Sequence, residues 1–332
     1  MSDAALTIGN SIQTIWSRRG RHLCLAGVLG VVVAFVTAVA LPLATYTTVL
    51  ALFGFAHVAS ELRYIDHRFG ARLGGGLAGT LALLLGVAVL LRLAGMRGWL
   101  DPLLAVGLEV GLGAILMGVT IRRMRQRRWI AVAAALVLVA GALLAPFETL
   151  LCFAIAHNLT PLGFLAEVLR GGERRWALAM AAVAFIVLPL LIATGLPFAW
   201  FATLGLMAPE ASLFSAGDLT QNLGAYVPAS ALYSDWALHA FAASVFAQCM
   251  HYIAVIGVLP RLIDTPKAPP DRVRFGRYLV IGSAALAVGF ALDYGLQRQI
   301  YALAALVHAW LELPVFALVL GGTVSVQAKP SP

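Results

Sequence analysis

Leu52-Phe-Gly-Phe-Ala-His57-Val-Ala-Ser-Glu61-Leu-Arg-Tyr-Ile-Asp-His67-Arg68 places a histidine and a carboxylate four residues apart inside an otherwise apolar run. At helical spacing both side chains share one face. An ionisable pair in hydrocarbon is expensive, so this face must turn towards protein, and it marks a functional site before anything else is known. His308 and Glu312, near the other end of the chain, repeat the spacing.

The surrounding composition sets the class. Of 332 residues 61% are hydrophobic and 11% charged, and the mean hydropathy is +0.91, well outside the range of water-soluble globular domains. The chain reads as an all-α, polytopic integral membrane protein forming one transmembrane helical domain over 1–332. Spans of about 20 apolar residues are expected at about 22–43, 46–65, 73–94, 101–121, 129–145, 147–169, 176–194, 235–259, 277–296 and 299–322, about ten in all. The mixed first 17 residues, followed by Arg18, Arg19 and Arg21, read as a cytoplasmic anchor and not as a cleaved signal peptide.

Charge tests the count. With the N-terminus inside, all 23 Lys and Arg residues except Arg92, Arg97 and Arg298 fall on inner segments, as the positive-inside rule requires. The expectation is N-in and C-in, in a bacterial cytoplasmic membrane. The same rule accounts for the net charge of +8, so no nucleic-acid partner is implied. Cys24, Cys152 and Cys249 lie in apolar segments without a CxxC, which gives neither a disulfide framework nor a zinc knuckle.

One outer connection, about 195–234, is long. Its start, Leu196 to Met207, is apolar but too short to span, which suggests an interfacial or re-entrant helix. Its remainder, with Pro209, Asp218, Gln221, Asn222 and Pro228, is either a cap on the outer face or a surface loop. The inner loop Pro260–Arg277, with Pro266, Pro269 and Pro270, reads as a solvated linker. Asp293 is expected to pair with Arg298. The stretch Thr48–His57 also echoes Glu148–His157, the second and sixth expected spans.

Four of the seven histidines, His57, His157, His251 and His308, fall on spans two, six, eight and ten. Each lies roughly 15 to 24 Å in from the outer end at 1.5 Å per residue, so all share a level. Imidazoles with carboxylates at one depth point to a metal: iron, manganese or zinc, not copper(I), which prefers sulfur. His57, His157, His251 and His308 are the expected ligands, with Glu61 and Glu312 as ligands or as groups that orient them. Glu109 is expected somewhat nearer the outer surface. His67 and His239 read as interfacial. Phe53, Phe55, Tyr252 and Trp310 are expected to line an apolar substrate tunnel. Each histidine, taken alone, also reads as an interhelical hydrogen-bonding residue.

At Phe153-Ala-Ile-Ala-His157 before a basic inner loop, at the His57 stretch with its acid four residues on, and at His251 in a late span ending Leu259-Pro260-Arg261, the sequence resembles the membrane-embedded Brp/Blh-type β-carotene 15,15′-dioxygenases. The resemblance implies an iron-dependent oxygenase that cleaves the central double bond of a carotenoid with dioxygen, its histidines holding non-haem Fe(II). Two positions depart from that pattern. Pro161 stands where the family carries a second histidine, and the family's early Pro-His-Gly-x-x-Asp has its nearest analogue in His308-Ala-Trp-Leu-Glu312, at the opposite end of the chain. The expectation is therefore a membrane-embedded oxygenase with a mono- or dinuclear non-haem Fe(II) centre, acting on a lipophilic, carotenoid- or isoprenoid-like substrate. A haem-binding membrane protein and a transporter with a His/Glu proton or ion site are the alternatives. With no lysine inside a span, a retinal Schiff-base photoreceptor is disfavoured.

Overall fold

The computed structural model describes residues 18–169, 171–263 and 271–321, and within them the side chains of 25–169, 174–261 and 273–321. The thiol of Cys24, the basic groups of Arg18, Arg19, Arg21, Arg170, Arg272 and Lys329, and the linker prolines Pro266, Pro269 and Pro270 lie outside these. The described residues are helical, without a strand.

Proline and glycine punctuate the chain. Helix α1 (Arg18–Ala40) stops at Leu41, and α2 (Pro42–Met96) starts with proline in its first turn, where the missing N–H is unneeded. The spans expected at 46–65 and 73–94 both lie in α2, whose 55 residues are interrupted at Gly74 (φ 64°, ψ 156°). A straight helix of that length would run roughly 80 Å, far beyond a bilayer's ~30 Å core. A glycine reaches this positive φ without a steric penalty. Helix α3 (Pro102–Ile121) is capped by Asp101, whose carboxylate accepts from the Leu104 N–H at 2.9 Å, and α4 (Arg128–Leu144) follows. The single span expected at 147–169 is broken into α5 (Pro146–His157) and α6 (Thr160–Val168), with Pro161 opening the second piece.

Two later helices carry π-helical turns. Val183–Val187 links α7 (Gly171–Ala182) to α8 (Leu188–Ala193), and Ile253–Val258 links α11 (Trp236–Tyr252) to α12 (Leu259–Ile263). Each ends two residues before a proline, Pro189 or Pro260. Proline lacks the N–H and its ring collides with the carbonyl one turn back, and a widened turn accommodates both. Between α8 and α11 the long connection forms α9 (Leu196–Thr203), α10 (Leu219–Leu223) and a 3₁₀ turn, Ala229–Ala231. The eight residues of α9 cover about 12 Å, too short to cross. The chain closes with α13 (Asp271–Leu292) and α14 (Tyr294–Gly321).

Among the described residues seven helical segments are long and apolar enough to cross a membrane: Pro42–Met96, Pro102–Ile121, Pro146–Val168, Arg174–Ala193, Trp236–Arg261, Val273–Leu292 and Tyr294–Gly321. Leu25–Ala40 and Arg128–Leu144 are shorter apolar helices.

Helix α11 is the axis of the bundle. Every residue from Ala240 to Tyr252 is buried, the signature of a helix enclosed on all sides. Around it Phe241, Phe246 and Tyr46 form one apolar cluster; Leu81, Leu116 and Leu318 form a second among α2, α3 and α14; and Tyr64, Phe164 and Val315 form a third. Arg68 holds Glu167 through two hydrogen bonds of 3.0 and 2.9 Å, tying α2 to α6.

Gly113 lets α14 sit close to α3, since a Cβ there would overlap the Trp310 ring. Trp310 also stacks on Phe153 at 4.2 Å and cannot retreat. Gly113→Ala is therefore expected to lower stability by about 1–3 kcal/mol, read as an earlier thermal unfolding in detergent.

Candidate metal centre

Leu50, Gly54, His57, Glu61 and Tyr64 form a buried stripe on α2 at the spacing of one helical face. That stripe meets His251 in the last turn of α11, His308 midway along α14 and His157, the last residue of α5. One ligand atom from each of His57, Glu61, His157, His251 and His308 falls within 4.8 Å of all the others. The four histidines singled out in the sequence thus meet at one point.

The contacts are made by the ring nitrogens themselves. His308 Nε2 lies 3.1 Å from His57 Nε2 and 3.0 Å from His157 Nε2. His251 Nε2 lies 3.2 Å from Glu61 Oε2, which is 3.9 Å from His308 Nε2. A neutral imidazole nitrogen offers one in-plane hydrogen or one lone pair, so His308 Nε2 makes one linear hydrogen bond and not two. A cation at the centre would take these lone pairs as ligands. Donors about 2.1 Å from an ion and at right angles stand about 3.0 Å apart, which matches the observed edges.

Glu61 supports the same fit. Its side chain is completely buried; among the described residues Oε1 has no hydrogen-bond partner and Oε2 meets His251 and His308. A buried carboxylate without a positive partner is strongly unfavourable, and a divalent ion would supply that partner.

Glu312 stands outside the five-residue cluster. One of its oxygens contacts His157 Nδ1 at 2.6 Å, and the other accepts from Thr160 Oγ1 at 2.9 Å. Glu312 therefore sits behind the His157 ring, where a carboxylate at Nδ1 can fix the tautomer that leaves Nε2 facing the centre. Thr160, one residue before Pro161, is a site residue that the sequence reading missed. Glu312→Gln is expected to weaken metal binding about 10- to 100-fold, measured by competition with a chelator of known affinity.

A cavity of about 640 Å³ reaches the cluster at His57, His157 and His308. Tyr252 and Trp310 line it as expected, joined by Phe153, Tyr301 and Tyr226. Phe53 and Phe55 do not. Phe55, two residues before His57 and so on the opposite side of α2, packs edge-on to Tyr278 and over Gly282 of α13, while Phe53 is 46% exposed on the outside of the bundle. Tyr252 stacks on the His57 ring at 4.0 Å and shares a 2.7 Å hydrogen bond with Tyr301, whose hydroxyl is 3.5 Å from His57 Nδ1. Gln248 donates to Tyr252 at 2.9 Å. Residues Gly224 to Ala229 close part of the cavity wall. Burial raises the phenol of Tyr226 there well above its ordinary value, leaving a neutral hydroxyl.

The remaining charged candidates lie elsewhere. Glu109 takes two 2.7 Å hydrogen bonds from Arg92 and one of 2.9 Å from Trp310 Nε1. It is a neutralised support for the cavity wall. His67 is exposed, and the His239 ring packs on Phe198. Asp293 does not pair with Arg298: its carboxylate caps α14 through the Leu296 N–H at 2.9 Å, whereas Arg298 donates to Asn222. No protein-family model matches the chain, and neither does any curated protein or solved structure.

Proposed function

We propose that this chain is a membrane-embedded oxygenase that holds one non-haem Fe(II) on His57, His157, His251, His308 and Glu61 and acts on a lipophilic, carotenoid- or isoprenoid-like substrate. In this reading it crosses a bacterial cytoplasmic membrane about ten times, with both termini inside. The two arms of α2 count separately, and α1 and α4 join the seven longer segments.

The observation that carries the proposal is the convergence of four Nε2 atoms and a buried carboxylate beside an aromatic-lined cavity. Five donors exceed the four of a tetrahedral zinc site and suit iron with a position left open. A bis-imidazole haem needs axial nitrogens about 4 Å apart across a flat macrocycle. Three nitrogens at 3.0 and 3.1 Å favour a bare ion.

Bound Fe(II) supplies the one-electron chemistry that lets dioxygen attack a carbon–carbon double bond. The chain's own residues do the rest. Four neutral imidazoles and one carboxylate leave the ion with a net positive charge, Glu312 holds the His157 ring in place, and Tyr252 fixes the His57 ring by stacking. Phe153, Trp310 and Tyr301 exclude water and offer flat apolar walls to a polyene. The cavity falls within the ~300–1,000 Å³ of typical ligand sites.

Oxygen uptake by the Fe(II)-loaded protein in detergent, with and without β-carotene or an open-chain isoprenoid polyene, tests the reading. Uptake that depends on the polyene and disappears in His57→Ala is the expected result. An iron-loaded protein that consumes no oxygen with any polyene would overturn the oxygenase assignment.

A further inference from the structure

A second cavity, of about 530 Å³, adjoins the first, and the two share Arg298 and Ala302 in their walls. Their linings differ in kind. The first is walled by aromatic rings and aliphatic side chains and ends at the cluster, while the second carries Ser215, Gln221 and Gln299 beside Arg298. Arg298 lies ten residues before His308 on the same helix, about 15 Å along its axis.

The Arg298 guanidinium has no carboxylate partner among the described residues. It donates to Asn222 Oδ1 at 3.3 Å and lies 5.7 Å from the centre of the Tyr46 ring. Asn222 is itself completely buried and fixed, donating to the carbonyls of Ala216 and Asp218 at 2.8 and 2.9 Å. A guanidinium has five donor hydrogens in a planar fork that matches an anionic oxygen pair; Asn222 takes one of them and the Tyr46 hydroxyl lies in reach of another, both uncharged acceptors that leave the positive charge unmatched. The other cation on the first cavity, Arg92, is already neutralised by Glu109. Glu148 also lines that cavity, as an exposed side chain in the first turn of α5.

We infer that the joined cavities bind a single-chain amphiphile with an anionic head, the head against Arg298 in the polar cavity and the apolar chain running past Tyr301 to the edge formed by His57 and His308. The placement of the chain's reactive bond at that edge rests on the oxygenase reading; the head-group site does not. A carboxylate and a phosphate monoester share the required chemistry.

Binding of cis-parinaric acid and of its alcohol, followed by the probe's own fluorescence on metal-stripped and iron-loaded full-length protein in detergent, tests the inference. The acid is expected to bind at least about tenfold tighter than the alcohol, with and without metal. Arg298→Gln should remove that preference and leave the alcohol's affinity and the iron content unchanged, while Arg298→Lys should restore part of it. Displacement of the probe by palmitate or by hexadecyl phosphate separates the two head groups. Equal affinity for acid and alcohol in the wild type, or a preference that survives in Arg298→Gln, would overturn the inference whatever the iron content. A preference for the acid in a protein that holds no iron would leave the head-group site standing and remove only the oxygenase reading.

Discussion

His308→Ala is expected to purify with less than about a tenth of the wild-type iron, while His67→Ala retains all of it. His308 is the hub of the cluster, its Nε2 touching both His57 Nε2 and His157 Nε2 and lying 3.9 Å from Glu61. Removing it deletes a ligand and also frees the two nitrogens it holds 3.0 to 3.1 Å away. Since metal affinity depends on a preformed set of deprotonated donors, the loss exceeds that of Glu312→Gln, which leaves every donor in place. His308→Gln, closer in size, separates loss of a ligand from the cavity that alanine opens. Iron retained by both variants would remove His308 from the site. His67, exposed on the same helix as His57, controls for loss of a histidine as such.

The second large effect concerns stability. Arg92→Met is expected to cost about 3–5 kcal/mol, because it strands a buried carboxylate. The Glu109 side chain is wholly enclosed and Arg92 is 21% exposed, so the pair is shielded from solvent. Trp310 donates one neutral hydrogen bond to Glu109, which does not balance the charge. The double variant Arg92→Met, Glu109→Met should recover most of the loss, since replacing both partners of a buried pair removes the desolvation penalty along with the attraction. Thermal unfolding in detergent measures both. A single variant as stable as the wild type would show that Glu109 does not depend on Arg92 for its burial.

Much of the candidate site is legible in the sequence. His57 and Glu61 share a face by helical spacing alone, and the four histidines that cluster stand out by where each falls in its apolar run. Other features depend on how each helix is rotated about its axis, which spacing leaves free. Glu312 follows His308 by one turn just as Glu61 follows His57, yet Glu61 reaches the centre and Glu312 reaches the back of the His157 ring. Phe55 and Phe53 were near His57 in sequence but face α13 and the outside of the bundle. Tyr301 carried a readable signal, lying seven residues before His308 on the same stripe of α14. Arg92 stood out in the sequence only as an exception to the charge rule. Its real constraint, a buried carboxylate 17 residues later across the turn at Gly98, is a tertiary contact. The break after His157 was foreshadowed by Pro161, a residue that cannot continue a helix undisturbed.

Elemental analysis of the detergent-purified, full-length protein after anaerobic Fe(II) loading, with its visible spectrum, tests the metal centre most directly. The account predicts about one iron per chain, held by the five clustered residues, and no Soret band. Protein that is folded and monodisperse yet holds no iron, or one whose iron comes with a Soret band, would contradict it.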